Sequence, residues 1–203
     1  DVAPSRGLGD VYKRQIIHNG SEDCTGLIIV EEGQLRAYTL SEDGKEITLY
    51  RMFQRDACLF AASCIMNNIQ FEVIIEARED SKVLTIPTSV YQNLIHTSLP
   101  VANFTNDLMA SRFSDVMWVM EQILNKSVDV RLAALLVEEM EITGESMLKM
   151  THEEIAHHLG TAREVITRML KYFQKEQLVS LSRGSIEIID EDRLYELAKD
   201  SRR

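Results

Sequence analysis

The sequence predicts an α+β protein with an N-terminal β-roll, a long helix and a C-terminal domain of short helices and a hairpin. Three observations indicate this order. Short apolar strands separated by turn residues run from Ile16 to Pro87. A heptad-spaced apolar seam follows them, and two short capped helices then meet at Gly160 and lead into a hairpin. We assign residues 16–98 to the roll, 99–125 to the helix and hinge, and 126–203 to the C-terminal domain.

The segment 1–15, DVAPSRGLGDVYKRQ, fits no element of this scheme. It has no helical or strand period, and its glycines and proline argue against a packed strand. We expect a non-native or disordered segment here and exclude it from the fold.

The pattern from Ile16 to Pro87 is typical of a β-roll. Residues 26–30 form a compact apolar run, and 34–40 and 47–52 flank a turn at Ser41–Gly44. Apolar residues then alternate at every second position from Phe71 to Ala77, as in a half-buried strand, and 83–86 returns after a further turn. Many short strands with regular turns favour a barrel or sandwich of the jelly-roll type.

A long helix is predicted next. Its apolar seam steps by four and three residues through Met109, Phe113, Val116, Met120 and Ile123. A seam with this spacing can pack on the roll or form a coiled coil with a second copy of the chain. Residues 125–127 then form a hinge, and a further helix covers 128–141.

Residues 151–170 predict two helices joined by a tight turn. Thr151–Glu154 and Thr161–Glu164 both have the T-x-x-E form of a capping box. Gly160 between them can adopt the left-handed conformation that ends a helix. The second helix has one apolar face, formed by Ile166, Met169, Leu170 and Phe173.

The opposite face of that helix is charged and polar. It carries Arg163, Glu164, Thr167, Arg168 and Lys171. This is the layout of a DNA-binding helix-turn-helix, in which arginine reads guanine and glutamate accepts from cytosine in the major groove. The alternative is that Glu164 only caps its helix and pairs with Arg168 one turn later.

A short hairpin after the second helix favours the DNA-binding interpretation. Val179, Leu181, Ile186 and Ile188 flank a turn at Arg183–Ser185. A hairpin in this position is the wing of a winged helix-turn-helix, and Arg183 at its tip could meet a phosphate.

The stretch THEEIAHHLGTAREVITRMLKYFQKEQLVSLSRGSIEIID resembles the DNA-binding domain of the CRP/FNR transcriptional regulators, whose recognition helix carries R-E-x-x-x-R. The resemblance covers the chain from about Ile16. It implies that Arg163 and Arg168 contact guanines and that Glu164 contacts a cytosine, with Thr167 as a further base-reading residue. Phosphate contacts are expected from Thr151, His152, Lys171 and Arg183. It also implies a parallel homodimer on palindromic double-stranded DNA, with RNA polymerase and an unknown small effector as partners.

The segment EEGQLRAY…SEDGKEITLY resembles the cyclic-nucleotide-binding-like sensor domain of that family. Residues 55–64 nevertheless lack the Gly-Glu pair and the following arginine that hold a cyclic nucleotide, so cyclic AMP is not expected. Cys24, Cys58 and Cys64 could instead sense thiol oxidation or, with His18, hold haem or a metal. The alternative is that these cysteines are small buried side chains, and their spacing matches no common metal motif.

Composition sets the remaining limits. The net charge of −10 disfavours non-specific nucleic-acid binding, but the cations of the proposed DNA face are clustered locally. No apolar run is long enough to span a membrane, so we expect a cytoplasmic protein. The chain could also be a ligand-binding or interaction module with a vestigial helix-turn-helix. An enzyme is disfavoured, because His157 and His158 diverge on a helix and no nucleophile–base pair is evident.

Overall fold

The computed structural model describes residues 7–20, 25–59 and 72–201. They form two compact units. The first comprises the described parts of Asp1–Ser41 and Thr48–Met117, and the second those of Glu42–Ile47 and Trp118–Arg203. The predicted mixed fold, with strands first, then a long helix, then short helices with a hairpin, is confirmed.

Two four-stranded antiparallel sheets form most of the first unit. Their strands are β1 (Gly7–Val11), β2 (Ile16–Asn19), β3 (Leu27–Glu32), β4 (Leu35–Leu40), β5 (Glu46–Met52), β6 (Ala57–Cys58), β7 (Ile74–Ala77) and β8 (Ser81–Ile86). One sheet has the order β1-β8-β3-β6 and the other β2-β7-β4-β5. One cluster of buried side chains draws on both sheets, with Ile28 and Val83 from the first and Leu35 and Ile75 from the second. This shared core confirms the predicted roll.

The alternation predicted around β7 is present where the structure describes it. Val73, Ile75 and Ala77 are buried, whereas Ile74 and Glu76 between them are only partly so. Phe71, the first residue of the predicted strand, lies outside the described residues. Buried and partly buried residues also alternate along β8, which pairs with both β1 and β3.

The expectation that residues 1–15 contribute no strand is wrong for Gly7–Val11. These residues form β1, which pairs with β8 from Gly7↔Thr85 to Val11↔Ser81. The strand is held mainly by backbone hydrogen bonds, and only Val11 is fully buried. Because Leu8 is 64% exposed, the sequence carries no apolar alternation from which this strand could be recognised.

Two helices complete the first unit, and the second of them ends in the second unit. Helix α1 (Thr88–Thr97) follows Pro87 directly and was not predicted from the sequence. The long helix α2 spans Leu99–Asn125. Buried Tyr91 joins the two helices, with its hydroxyl 2.6 Å from the Thr105 hydroxyl. Within the described residues, no helix combines the length and apolar character needed to cross a membrane.

A buried polar cluster joins α2 to the roll. The Arg112 guanidinium lies 2.9 Å from the Asp115 carboxylate, donates to the Ala57 carbonyl at 3.2 Å and sits 4.4 Å from the centre of the Tyr50 ring. The Tyr50 hydroxyl in turn lies 3.7 Å from the Cys58 sulfur. Burial, and secondarily the neighbouring Cys58, raises the pKa of Tyr50 well above its usual value. The phenol is therefore neutral and serves as a packing and hydrogen-bonding group.

The second unit contains the short helices and the hairpin. Its elements are α3 (Val128–Thr143), β9 (Met147–Leu148), α4 (His152–Leu159), α5 (Arg163–Lys175), β10 (Val179–Ser182), β11 (Ser185–Ile188), α6 (Glu191–Ala198) and a 3-10 turn at Lys199–Ser201. The strands pair in the order β10-β11-β9. The core gathers buried side chains from each helix, including Leu136, Ile155, Leu170 and Leu194. The hairpin was predicted, whereas β9 and α6 were not.

Candidate nucleic-acid interface

Helix α4 begins and ends as predicted. The Thr151 hydroxyl accepts from the Glu154 backbone N–H at 3.2 Å, and the Glu154 carboxylate accepts from the Thr151 N–H at 2.9 Å. These two bonds form the predicted capping box. At the other end Gly160 has φ +61°, the left-handed conformation in which glycine is favoured. The helix is thus fixed at both ends in front of the turn.

The second predicted capping box, at Thr161–Glu164, is wrong. Helix α5 starts one residue later, with Ala162 at its N-cap and no side-chain cap bond. The reason lies in the end of α4, where the Thr161 N–H bonds to the Ala156 carbonyl at 3.1 Å. Thr161 therefore still belongs to the turn that closes α4, and Ala162 becomes the first residue able to start the next helix.

The apolar face of α5 anchors the helix as predicted. Ile166, Leu170 and Phe173 are fully buried, and Met169 packs against the same core. Burial of three large side chains at this spacing fixes the rotation of the helix about its axis. The opposite face is consequently held outward.

The outward face presents the charged residues that the sequence analysis selected. Arg163, Glu164, Arg168 and Lys171 are exposed, and with the half-buried Thr167 they line one open depression. Within the described part of the chain, the side chains of Glu164, Arg168 and Lys171 make no hydrogen bond or ion pair. The alternative role for Glu164, capping its helix and pairing with Arg168, is therefore wrong. These charges are therefore open to solvent.

Arg163 is the charged member of this face that forms an ion pair within the described part of the chain. Its Nε lies 3.8 Å from the Glu153 carboxylate of α4, and both side chains are more than half exposed. Glu153 also lies 3.4 Å from His157 Nε2, one turn along α4. As predicted, the adjacent histidines diverge, because His158 is buried in the domain while His157 faces this ion pair.

His152 and Thr167 connect the two helices. His152 Nδ1 lies 2.9 Å from the Thr167 hydroxyl, which in turn donates to the Arg163 carbonyl at 2.9 Å. Partial burial, followed by the nearby charges of Arg163 and Lys171, lowers the pKa of His152 from 6.5. The imidazole is therefore mainly neutral at neutral pH.

The predicted wing is a regular two-stranded hairpin. Its register runs from Val179↔Ile188 to Ser182↔Ser185. Gly184 in the turn has φ +78°, and Arg183 beside it is exposed. The hydroxyls of Ser182 and Ser185 lie 2.6 Å apart and close the tip. The structure thus places Arg183 at the end of the hairpin, as expected.

One residue that supports the helix pair was missed by the sequence analysis. The Arg131 guanidinium of α3 donates to the Leu159 carbonyl at the end of α4. Burial lowers the pKa of Arg131, although an arginine stays charged at any physiological pH. No sequence signal identifies this contact, because Arg131 precedes its acceptor by a turn, a strand and a whole helix.

The predicted seam of α2 is partly exposed. Phe113, Met120 and Ile123 are 66%, 45% and 39% exposed, whereas Val116 is partly buried and Met109 packs against the roll beside α1. An apolar row of this kind is unusual on the surface of a monomer. Met109, the upper end of the seam, therefore serves the fold of the first unit. The lower seam, formed by Phe113, Met120 and Ile123, is largely exposed.

One of the three predicted sensor cysteines lies within the described residues. Cys58 is fully buried in the core of the roll, as a small packing side chain would be. Cys24 and Cys64 lie outside the described residues. Among the described residues, no group of three or more His, Cys, Asp or Glu side chains is placed to hold a metal ion.

A helix-turn-helix with an outward charged second helix and a wing, following a β-roll and a long helix, defines a winged-helix regulator with a separate sensor-type domain. Comparisons with known proteins agree. A Crp-like helix-turn-helix model matches residues 130–197, and a cyclic nucleotide-binding domain model matches residues 11–98. A crystal structure of a CRP/FNR family protein from Eubacterium rectale is 58% identical, with a TM-score of 0.92, and the match covers 95% of this chain and 89% of that one.

The chain belongs to the CRP/FNR family of transcriptional regulators, which are not enzymes. A curated relative, the fumarate and nitrate reduction regulatory protein of Yersinia pestis, is 26% identical over 93% of this chain and 77% of its own length. The c-di-GMP-responsive regulator CLP of Xanthomonas campestris shares the fold, with a TM-score of 0.76 at 19% identity over 90% of this chain and 93% of its own. Regulators of this family bind DNA through their helix-turn-helix domain and typically dimerise.

Proposed function

We propose that this chain is a homodimeric regulator that binds palindromic operators and reads their sequence with α5. The observation that carries the proposal is the outward face of α5, where three exposed charged side chains, those of Glu164, Arg168 and Lys171, have no partner among the residues that the structure describes. Charged side chains on an ordinary helix surface can pair at i, i+4 spacing, and Glu164 and Arg168 have that spacing without pairing. A helix held rigidly by its buried face, with its charges kept unpaired, is suited to a groove of fixed geometry.

The individual roles follow from side-chain chemistry. Arginine can donate two bonds to guanine O6 and N7, and glutamate can accept from the cytosine amino group. We assign base reading to Arg163, Glu164, Thr167 and Arg168, and phosphate contact to Thr151, His152, Lys171 and Arg183. The regular hairpin under Arg183 supports its phosphate assignment, because it holds a cation at the tip of the wing. Thr151 would have to turn its hydroxyl away from the Glu154 carboxylate, 3.0 Å distant, to meet a phosphate.

The test begins with selection of an operator from a random DNA pool by the wild-type protein. On that operator Arg168→Ala should lose about 1–3 kcal/mol and relax specificity at one base pair. Lys171→Ala, one turn further on, is the contrasting variant and should weaken binding to every sequence while reducing the salt slope by about one. A loss with Arg168→Ala that is equal on all sequences contradicts its base-reading role. Failure to enrich any operator would favour an interaction module with a vestigial helix-turn-helix.

The exposed lower seam of α2 supports a homodimer. Two recognition helices related by a two-fold axis would meet successive major grooves about 34 Å apart, so dimerisation explains a palindromic operator. Met120→Lys should shift the protein to monomer in sedimentation velocity, because it places a charge in an apolar interface. Val90→Lys, a similar change at a similarly exposed position of α1, should leave the dimer intact. A wild-type monomer at micromolar concentration contradicts the proposal.

We propose that the roll responds to a small effector other than a cyclic nucleotide and that the DNA-bound dimer contacts RNA polymerase in the cytoplasm. The missing Gly-Glu and arginine of residues 55–71 support the first part. Calorimetry should detect no heat with cyclic AMP, and micromolar binding would refute this.

Thiol or haem sensing stays a prediction for Cys24 and Cys64. It is tested by the visible spectrum of anaerobically purified protein and by operator binding of a Cys24→Ser/Cys64→Ser variant. Burial of Cys58 within the packed core argues against a sensing role for that residue.

A further inference from the structure

The end of α2 belongs to the same compact unit as the helix-turn-helix. The second unit resumes at Trp118, so about two turns of α2 lie in it. Two residues, Lys126 and Ser127, then separate α2 from α3. The predicted hinge at 125–127 is therefore enclosed within one unit. Contacts between residues on either side of it decide how firmly α2 is joined to the DNA-binding domain.

A buried hydrogen bond crosses the predicted hinge. The Ser201 hydroxyl, in the turn after α6, donates to the side-chain oxygen of Gln122 on α2, and both residues are buried. Ser201 is held in place from the side of the DNA-binding domain, because Leu194 and Ala198 of α6 are fully buried in the core that also contains Leu132 of α3. The bond thus ties α2 to that domain across 79 positions of the chain.

Gln122 is turned away from the exposed lower seam of α2. With 3.6 residues per turn, it lies about 130° around the helix from the midpoint of Met120 and Ile123. Those two side chains are exposed, whereas Gln122 is buried. One side of this part of α2 is thus open to a second copy of the chain, and the other side is bonded to the DNA-binding domain of its own chain. A change at Gln122 leaves the proposed dimer seam intact.

We propose that Gln122 and Ser201 are positioning residues that fix the DNA-binding domain on the dimer helix and so set the half-site spacing that the dimer accepts. The inference rests on the proposed function, because it needs two recognition helices related by a two-fold axis. A rigid joint holds each α5 at one distance and one rotation from that axis. One base pair inserted between the half-sites shifts them by about 3.4 Å and roughly 35°, which a rigid joint resists.

The strength of the bond limits the size of this effect. On an operator of the wrong spacing, one domain of the dimer can break its bond and rotate, and the complex then loses the net contribution of that bond. A typical intramolecular hydrogen bond contributes about two- to tenfold to an equilibrium constant. Removal of the bond should therefore reduce the penalty for a change of one base pair in spacing by about two- to tenfold.

The test measures binding to three DNAs: the operator selected by the wild type, the same operator with one base pair inserted between its half-sites, and a single half-site. Gln122→Met and Ser201→Ala each remove the bond with little change in volume. Each should reduce the ratio of the affinities for the correct and the widened operator by about two- to tenfold. The double variant should reduce it no further, because the two residues act through one bond. Affinity for the half-site should be unchanged, since its bases are read by α5.

Tyr195→Phe is the matched control. The Tyr195 hydroxyl donates to the Glu141 carboxylate at 3.0 Å and joins α6 to α3 without crossing the predicted hinge. This variant loses one hydrogen bond of α6 and should keep the spacing preference of the wild type. Sedimentation velocity and thermal unfolding show that each variant is still a folded dimer.

Three results would overturn the inference while leaving DNA reading intact. The first is an unchanged spacing ratio in Gln122→Met and Ser201→Ala. The second is an equal loss of affinity on the half-site and the palindrome, which indicates a role in the reading domain itself. The third is tighter binding of these variants to the correct operator, because the bond would then belong to a conformation that does not fit DNA. If the wild type binds half-site and palindrome equally, the proposed homodimeric function fails instead.

Discussion

Replacing Glu153 with glutamine should tighten DNA binding while slightly weakening the fold. The Glu153 carboxylate lies 3.8 Å from Arg163 Nε, and both side chains are more than half exposed. Arg163 must leave this partner to reach a base, and the carboxylate that stays behind faces the phosphates of the DNA. Glu153→Gln removes both penalties at nearly constant shape.

The expected magnitudes follow from the exposure of the pair. Exposed ion pairs contribute about 0.2–1 kcal/mol, so release of Arg163 should raise operator affinity by roughly 1.5- to fivefold at low ionic strength. Salt should shrink the gain, since the charges are accessible to solvent. Glu153 also lies in the first turn of α4, where a carboxylate stabilises the helix by about 0.3–1 kcal/mol. The melting temperature of the second unit should therefore fall by a few degrees, roughly 4–8 °C per kcal/mol for a domain of this size.

Fluorescence anisotropy on the selected operator, at low and physiological ionic strength, measures the affinity, and thermal unfolding measures the stability. Glu196→Gln is the matched control, because Glu196 forms an exposed ion pair with Lys199 at 3.6 Å on α6, away from α5. It removes the same charge and should change affinity much less. Opposite signs for stability and affinity in Glu153→Gln are the signature of this mechanism. Weaker operator binding, or gains of equal size in both variants, would refute it.

Three further predictions concern the fold around the site. Arg131→Met should lower the free energy of unfolding by about 1.5–3 kcal/mol in urea, because the Leu159 carbonyl loses a charge-assisted hydrogen bond; an unchanged midpoint would contradict this. Arg112→Met should cost about 3–5 kcal/mol by removing the guanidinium that pairs with the buried Asp115 carboxylate, and adding Asp115→Leu should recover most of the loss. Burial and two nearby cations lower the pKa of His152 from 6.5, so the unfolded chain binds more protons than the folded one as pH falls through this value. The melting temperature should fall on acidification through that window, and less steeply in His152→Asn; identical slopes would be evidence against the shift.

The sequence was sufficient for the elements whose apolar periodicity is strong. The buried face of α5, the capping box of α4 and the hairpin after α5 were predicted residue by residue, since each depends on contacts within a few positions of the chain. The start of α5 could not be predicted in the same way. The T-x-x-E pattern at Thr161 is genuine, but a bond from Thr161 back to Ala156 takes that residue into the preceding turn. The T-x-x-E pattern and the closing turn of α4 both involve Thr161, and in the structure Thr161 belongs to the closing turn.

Strand β1 and the contacts between helices could not be predicted from the sequence, for a different reason. β1 buries one side chain and is held by backbone hydrogen bonds to β8. Backbone hydrogen bonds do not depend on the type of side chain, so the residue types do not indicate the strand. The His152–Thr167 and Arg131–Leu159 contacts join residues 15 and 28 positions apart, and their geometry depends on how helices cross. Side-chain chemistry could select His152 as a polar residue suited to phosphate contact. It could not show that its ring is directed at a neighbouring helix.

The arrangement of charge on α5 explains how an acidic chain can recognise DNA selectively. A net charge of −10 disfavours approach to any DNA backbone, and this penalty is the same for every sequence. Glu164 adds a carboxylate on the reading face itself, which is offset only where a base presents an amino donor. Arg163 is restrained by Glu153 until a base replaces that partner. In the proposed mode, each of these features lowers the affinity for non-specific DNA more than it lowers the affinity for the correct operator. Specificity is thereby set as much by what the protein withholds from wrong sequences as by the contacts it makes with the right one.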